Sequence, residues 1–364
     1  MSQTSIVRWM RGLALLGVLL CFGVIVLGAY VRLTDAGLGC PDWPGCYGHI
    51  SPVGAQDSPS SQAEFPGRPL QAGKAWHEMI HRYAAGTLGC VIIVIAALAI
   101  AARTPRVQPG LPKVAGTGFG LLLFATVIVQ AVLGMLTVTL LLKPLIVTLH
   151  LMFGMTTLAL LWWLWLRLRG HAPGGVHLQT VPKAGTAGWS SDAGAARLAY
   201  WLAAFCVVVL AAQFFLGAWT SANYAAFACP DFPTCQGAWW PHTDFRHAFV
   251  LWRGIWVDYD GGILSNASRV AIQLAHRLGA LTVTLTFLGV TLYTISRRSL
   301  APARPRAYLV LAALGLQLAI GISMVLETFP LWLTVAHTAG AALLLMAILA
   351  LTAKLHVMRA ARAG

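Results

Sequence analysis

Charge is what this chain most lacks. Of 364 residues only 10% are Asp, Glu, Lys or Arg, against 58% hydrophobic, and the mean hydropathy is +0.73. So little polar surface cannot cover a water-soluble domain, and a disordered chain would need the opposite balance. No short-period repeat dominates, which excludes a fibrous protein. Acids are scarcer than bases, 11 against 25 Lys and Arg, for a formal net charge of +14. A nucleic-acid partner is still not expected, because the cations fall between apolar stretches and form no contiguous basic domain.

What is present is a series of eight apolar runs, each near the roughly 20 helical residues that cross about 30 Å of hydrocarbon. They cover about Gly12 to Val31, His77 to Ala102, Val114 to Leu142, Pro144 to Leu166, Leu198 to Ala222, Ile272 to Ser296, Ala307 to Leu326 and Pro330 to Ala353. All should be helices, since an open strand cannot satisfy its backbone in lipid. The first run is too long for a signal-peptide core and lacks a small-residue cleavage site, so it is expected to remain as a helix; nothing before it resembles a transit peptide. Arg8 and Arg11, then Arg103, Arg106 and Lys113, then Arg167, Arg169, Lys183 and Arg197, then Arg297, Arg298, Arg304 and Arg306, then Lys354, Arg359 and Arg362 fall on one side, the cytoplasmic one by the positive-inside rule. Both termini are therefore expected in the cytoplasm. Asp35, Asp42, Asp57, Glu64, Asp231, Asp244, Asp258 and Asp260 fall opposite, on two exported loops from about Arg32 to Trp76 and from about Asn223 to Val270.

An internal repeat organises the chain. Gly28-Ala29, Ala36 and Cys40-Pro41-Asp42-Trp43-Pro44-Gly45-Cys46 return at constant displacement as Gly217-Ala218, Ala225 and Cys229-Pro230-Asp231-Phe232-Pro233-Thr234-Cys235. His81-Arg82 matches His276-Arg277, and His150 matches His337. The expected fold is all-α: eight transmembrane helices as two four-helix-bundle repeats, residues 1–169 and 197–364, joined by a Gly/Pro/Ser-rich cytoplasmic linker over 170–196. Four helices is an even number, so the repeats should be parallel, related by an axis along the membrane normal.

Six histidines (His49, His171, His177, His242, His247, His356) lie in loops or near termini and are expected to be solvated. His81, His150, His276 and His337 instead lie inside apolar helices near the exported face, where an ionisable group is costly enough to imply function. Two sites of two imidazoles each are implied. Zinc would need further ligands, and no Cys, Asp or Glu recurs at matching depth. Haem needs only axial ligands, because its macrocycle brings four nitrogens, and a four-helix half offers an apolar slot. Polar interhelical contacts are the blander alternative. Arg82 and Arg277 could pair with haem propionates or snorkel at helix ends.

The repeat breaks at one place: Glu78 stands three residues before His81, and Gln273 three before His276. That spacing puts each pair on one helical face. A carboxylate at one haem and a neutral amide at the other suits a site that does chemistry beside a site that carries electrons, although Glu78 paired to His77 or Arg82 at the interface is the plainer reading. Cys40 and Cys46, and Cys229 and Cys235, could each close a short disulfide on the oxidising side, as staples or as reversible thiol pairs. Cys21, Cys90 and Cys206 lie within spans and are expected to be buried. Gly237 to Pro241 and Phe249 to Trp256 are aromatic-rich, fitting a short interfacial helix or an ordinary aromatic belt.

The run from Gly28 to Pro44, the Glu78-to-Arg82 motif, Cys229 to Pro233 and the four span histidines resemble the haem A synthase family over nearly the whole chain. The resemblance implies an enzyme that takes haem O, made by a separate haem O synthase (a farnesyltransferase), and oxidises its C8 methyl to the formyl group of haem A for cytochrome oxidase. It implies that His81 and His150 flank the substrate haem, that Glu78 is the catalytic carboxylate, that His276 and His337 ligate the iron of a permanent haem b, and that the loop cysteines form disulfides. His77, one turn before His81, could compete as a ligand or serve as a proton partner. The expected partners are haem O, its synthase, an electron donor and membrane lipid; homo-oligomerisation stays open. An alanine-rich chain without a presequence suggests a bacterial plasma membrane. The rival readings are a diheme b-type electron-transfer protein and, ranked lowest, a transporter built on a repeat.

Overall fold

The computed structural model describes residues 3–102, 116–169, 189–254 and 257–361. In chain order the helices are α1 (Gln3–Leu33), the short α2 (Pro52–Gln56) and α3 (Pro59–Ala63), α4 (Ala72–Ala101), α5 (Thr117–Thr139), α6 (Pro144–Arg169), α7 (Trp189–Ala222), the short α8 (Phe245–Ala248), α9 (Asn266–Ser296), α10 (Arg304–Leu326) and α11 (Leu331–Ala360). Among the described residues there is no strand beyond two isolated bridges. The eight long helices are each long and apolar enough to cross a membrane, which gives the all-α, multi-pass architecture expected.

Several limits differ from those read off the sequence. Helices α4 and α9 start before His77 and Ile272, because hydropathy marks only the part in hydrocarbon while helical bonding continues through the interface. At α9 the Ser265 side chain caps that extra turn by accepting the Ser268 N–H at 3.3 Å. Helix α5 stops short of Leu142, since Leu141 and Leu142 take positive φ (50° and 58°) to turn the chain into α6. Helix α7 begins inside the stretch expected as linker. The rest of that linker, with His171, His177 and Lys183, lies outside the described residues, as do Arg103, Arg106, Lys113 and Arg362. No interfacial helix forms over Phe249 to Gly254; α8 ends just before it, and Lys143 lies over the Trp252 ring at 3.1 Å instead.

Packing follows the small and branched residues along these helices. Helix α1 packs on α4 and α6, and α5 on the same two; likewise α7 and α10 both pack on α9 and α11. The two groups meet where α6 touches α7 and α11, and where α1 touches α11. Helix α11 is the most enclosed, with 61% of its most apolar window buried against 17–39% for the others. Its Met346 carbonyl accepts the Trp162 Nε1–H of α6 at 2.8 Å. At the loop-bearing end Arg32 donates to the Ser221 carbonyl (2.8 Å) and lies over the Tyr224 ring (4.1 Å), while Arg68 pairs with Asp258 (3.1 Å).

Candidate functional site

The four span histidines come together in two pairs. His81 on α4 faces His150 on α6 with ring centroids 6.5 Å apart and planes at 74°; His276 on α9 faces His337 on α11 at 6.4 Å and 77°. Each ring rests against a glycine of a third helix: His81 on Gly28, His150 on Gly134, His276 on Gly217 and His337 on Gly321. A Cβ at any of these glycines would come within 2.9–3.2 Å of the ring Cε1, so a larger residue would push the imidazole out of place.

An iron held from both sides through metal–nitrogen bonds of about 2 Å sets imidazole centres roughly 6 Å apart, which both pairs match. Among the described residues no group of three or more His, Cys, Asp or Glu could hold a metal ion. Two-donor sites suit a metal that brings its own equatorial nitrogens, so a haem fits the residues present.

His77 stands outside the pair. Its ring packs edge-on against Tyr30, with centroids 4.9 Å apart. Glu78 is buried at 4% exposure, and its carboxylate accepts the Cys40 backbone N–H (2.8 Å) and an Arg82 N–H (2.5 Å). The pairing with Arg82 is thus the interfacial contact that the sequence reading set beside a catalytic role. Gln273, equally buried, leaves its Oε1 without a hydrogen-bond partner.

Disulfides join Cys40 to Cys46 and Cys229 to Cys235. Each loop folds over the start of its helix, and Gly39 makes this close approach: a Cβ there would lie 2.7 Å from the Lys74 backbone. Asp42 accepts the N–H groups of Tyr47 (2.6 Å) and Gly48 (2.9 Å), and Asp231 those of Gln236 (2.6 Å) and Gly237 (3.0 Å). The Thr234 hydroxyl also donates to Asp231 (2.5 Å), and these bonds, that hydroxyl first, hold the Asp231 carboxyl below the ordinary carboxylate range. Arg82 donates to the carbonyls of Asp42 (2.9 Å) and Gly45 (2.5 Å), and Arg277 to those of Thr234 (2.7 Å), Asp231 (2.8 Å) and Cys229 (3.1 Å). Both arginines therefore clamp the disulfide loops from below.

One set of residues escaped the sequence reading. Gln213 on α7, one turn before Gly217, brings its Nε2 to 3.1 Å from His276 Nδ1 and 3.0 Å from the His276 carbonyl. Gln317 on α10, one turn before Gly321, reaches His337 Nδ1 (3.2 Å) and the His337 carbonyl (3.1 Å), and lies 3.3 Å from His337 Nε2 as well. Gln130 holds the equivalent place before Gly134, and Val24 the place before Gly28. A Gln-x-x-x-Gly spacing recurring in three spans was the signal available.

Three further expectations are corrected. Cys21 and Cys206 are buried as expected, but Cys90 is exposed, on the outward face of α4 with Ile93 and Val94. His356 is no solvated terminal residue, being half-buried within α11 between Trp163 and Tyr200 (6.4 and 5.6 Å). His49 is half-buried too, its backbone bonded in both directions to Cys46.

A family model described as cytochrome oxidase assembly protein matches residues 11–349. A protein of Shewanella oneidensis named Heme A synthase is 39% identical over 342 residues, 93% of this chain and 94% of its own length. Proteins of that name from Rhizorhabdus wittichii and Caulobacter vibrioides are 26% and 27% identical, covering 92% and 89% of this chain and 90% and 89% of theirs.

Proposed function

This chain belongs to the cytochrome oxidase assembly protein family that contains the haem A synthases, and from that premise we propose that it oxidises the C8 methyl group of haem O to the formyl group of haem A. It is a membrane-embedded, haem-dependent oxidoreductase. The observation that supports this reading best is the meeting of four histidines in two pairs, each at the separation an axially ligated iron requires.

In this reading residues 1–169 and 197–364 are two halves joined through 170–196. His81 and His150 hold haem O as substrate, and His276 and His337 hold the iron of a permanent haem b. When bound, that haem b supplies one-electron transfer. Glu78, on the same face of α4 as His81, is the buried acid beside the substrate pair and takes up or releases the proton that oxidation of a methyl group demands. Arg82 and Arg277, at the outer end of each pair, would exchange part of their loop contacts for haem propionates, which a guanidinium can bind through two parallel bonds. The disulfide loops cover the outer starts of α4 and α9, held there by Arg82 and Arg277. The Lys and Arg distribution supports cytoplasmic termini in a bacterial plasma membrane, with lipid around the helices, haem O synthase supplying substrate and a separate donor supplying electrons.

The deciding experiment is membrane expression with and without a haem O supply, followed by chromatography of the extracted haems. Haem A should appear only when haem O is supplied. Haem B alone, at two per chain, would instead make this a diheme electron-transfer protein.

A further inference from the structure

The imidazoles of the two pairs differ in what stands behind them. In the second pair both Nδ1 atoms meet a glutamine amide from a neighbouring helix, Gln213 at His276 and Gln317 at His337, where the amide lies along the ring and is also 3.3 Å from Nε2. Room for these amides is made on the histidine's own helix: a Cβ at Gly279 or at Gly340, one turn past each histidine, would collide with the glutamine Oε1. In the first pair the Nδ1 atoms of His81 and His150 are buried with no side-chain partner. Their polar neighbours are the backbone carbonyls of Val24 and Gln130, each of which keeps a second lone pair for the ring beyond its intrahelical bond.

The sequence difference is coordinated. Where the second half has Gln213 and Gly279, the first has Val24 and Ala84, so the amide and the gap that admits it are both missing at His81. Gln130 is present behind His150, yet its amide lies beside Gly154 and His150 Nδ1 has no side-chain partner, although its Oε1 is unpartnered just as those of Gln213 and Gln317 are. An imidazole that binds a metal is normally oriented through its other ring nitrogen, and removing that outer partner typically weakens metal binding about 10–100-fold. With Nε2 on the iron Nδ1 carries the proton and donates, so the glutamine amide serves by turning its oxygen to Nδ1, a half-turn that exchanges the places of its Oε1 and Nε2.

Resting on the haem reading above, we infer that Gln213 and Gln317 are positioning residues that lock the second histidine pair onto a haem that stays, whereas the Val24/Ala84 exchange leaves His81 with a backbone carbonyl and no side-chain amide, a weaker hold suited to a haem that must leave. The same ligands thereby serve retention in one half and turnover in the other.

The test uses the full-length protein purified with its haem and challenged with excess apomyoglobin as a haem acceptor, following the rate of haem loss and the low-spin electron paramagnetic resonance signal. Gln213→Val should speed haem b loss about 10–100-fold and shift the low-spin g values as the His276 ring turns. Val24→Gln combined with Ala84→Gly should slow loss from the first site and leave the second unchanged. This gain cannot be mimicked by misfolding. Unchanged loss rates and g values in both variants would overturn the inference while leaving the haem reading intact; absence of any low-spin haem from the unmodified protein would refute the haem reading itself.

Discussion

At the front of the first site the Glu78 carboxylate bonds the Cys40 N–H and the Arg82 guanidinium; at the same place in the second, Gln273 leaves its amide oxygen unpartnered and Arg277 alone holds the loop, through three carbonyls. Behind the rings the polarity reverses, with Val24 and Ala84 in the first half and Gln213 and Gly279 in the second. The two histidine pairs are alike to within 0.1 Å in ring separation, 6.5 against 6.4 Å. In the proposed reading, what each copy of the duplicated site does is decided by its neighbours, a charge before one histidine pair and amides behind the other.

The largest effect should come from the ligands. His276→Ala should abolish the haem b spectrum of the second site, roughly a tenfold or greater fall in retained haem on pigment extraction, while His81→Ala leaves that spectrum in place. Next, Glu78→Gln gives the first site the second site's residue. Formyl formation should fall about 10²–10³-fold with haem still bound, as measured by haem chromatography, and Gln273→Glu should leave product yield unchanged. If Glu78→Gln keeps full yield, the carboxylate belongs to loop architecture alone.

The arginines should divide less sharply. Arg82→Ala strands a buried carboxylate and should cost about 3–5 kcal/mol, whereas Arg277→Ala removes only charge-assisted bonds to carbonyls, about 1.5–3 kcal/mol; thermal unfolding in detergent would rank them. The smallest effect concerns Asp231. Its carboxyl is depressed in the folded protein, so its contribution is complete above the ordinary carboxylate value and lost as pH falls through the folded one. Asp231→Asn should remove that acid sensitivity from the second loop, seen as a reductant accessibility of Cys229–Cys235 that no longer rises at low pH. Asp231 lies at the surface and is only partly buried, so solvent screening should keep the effect slight.

Much of this was legible in the sequence because lipid enforces simple rules. Eight apolar runs gave eight helices, and four imidazoles at equivalent depth gave two pairs, since a costly buried polar group recurs only where it is used. The arginines were legible only as cations near a haem. Their carbonyl partners depend on how the Cys loops fold back over α4 and α9, which no spacing reveals. Gln213 and Gln317 stayed hidden for a different reason: a glutamine in an apolar helix reads as one tolerated polar residue until a neighbouring helix brings a ring nitrogen to it. Cys90 shows the converse, since hydropathy places a residue at a depth but not on a face.

Helix α11 lies against α1 and α6 as well as α7 and α10. Synthesis is vectorial, so the first four long helices enter the bilayer while the flank of α1 and α6 that α11 will cover still faces lipid or the insertion machinery. The half that carries His81 and His150 therefore waits on the synthesis of α11 to close its wall. A ribosome stalled before Leu331 would leave not one finished half and one missing, but two open ones.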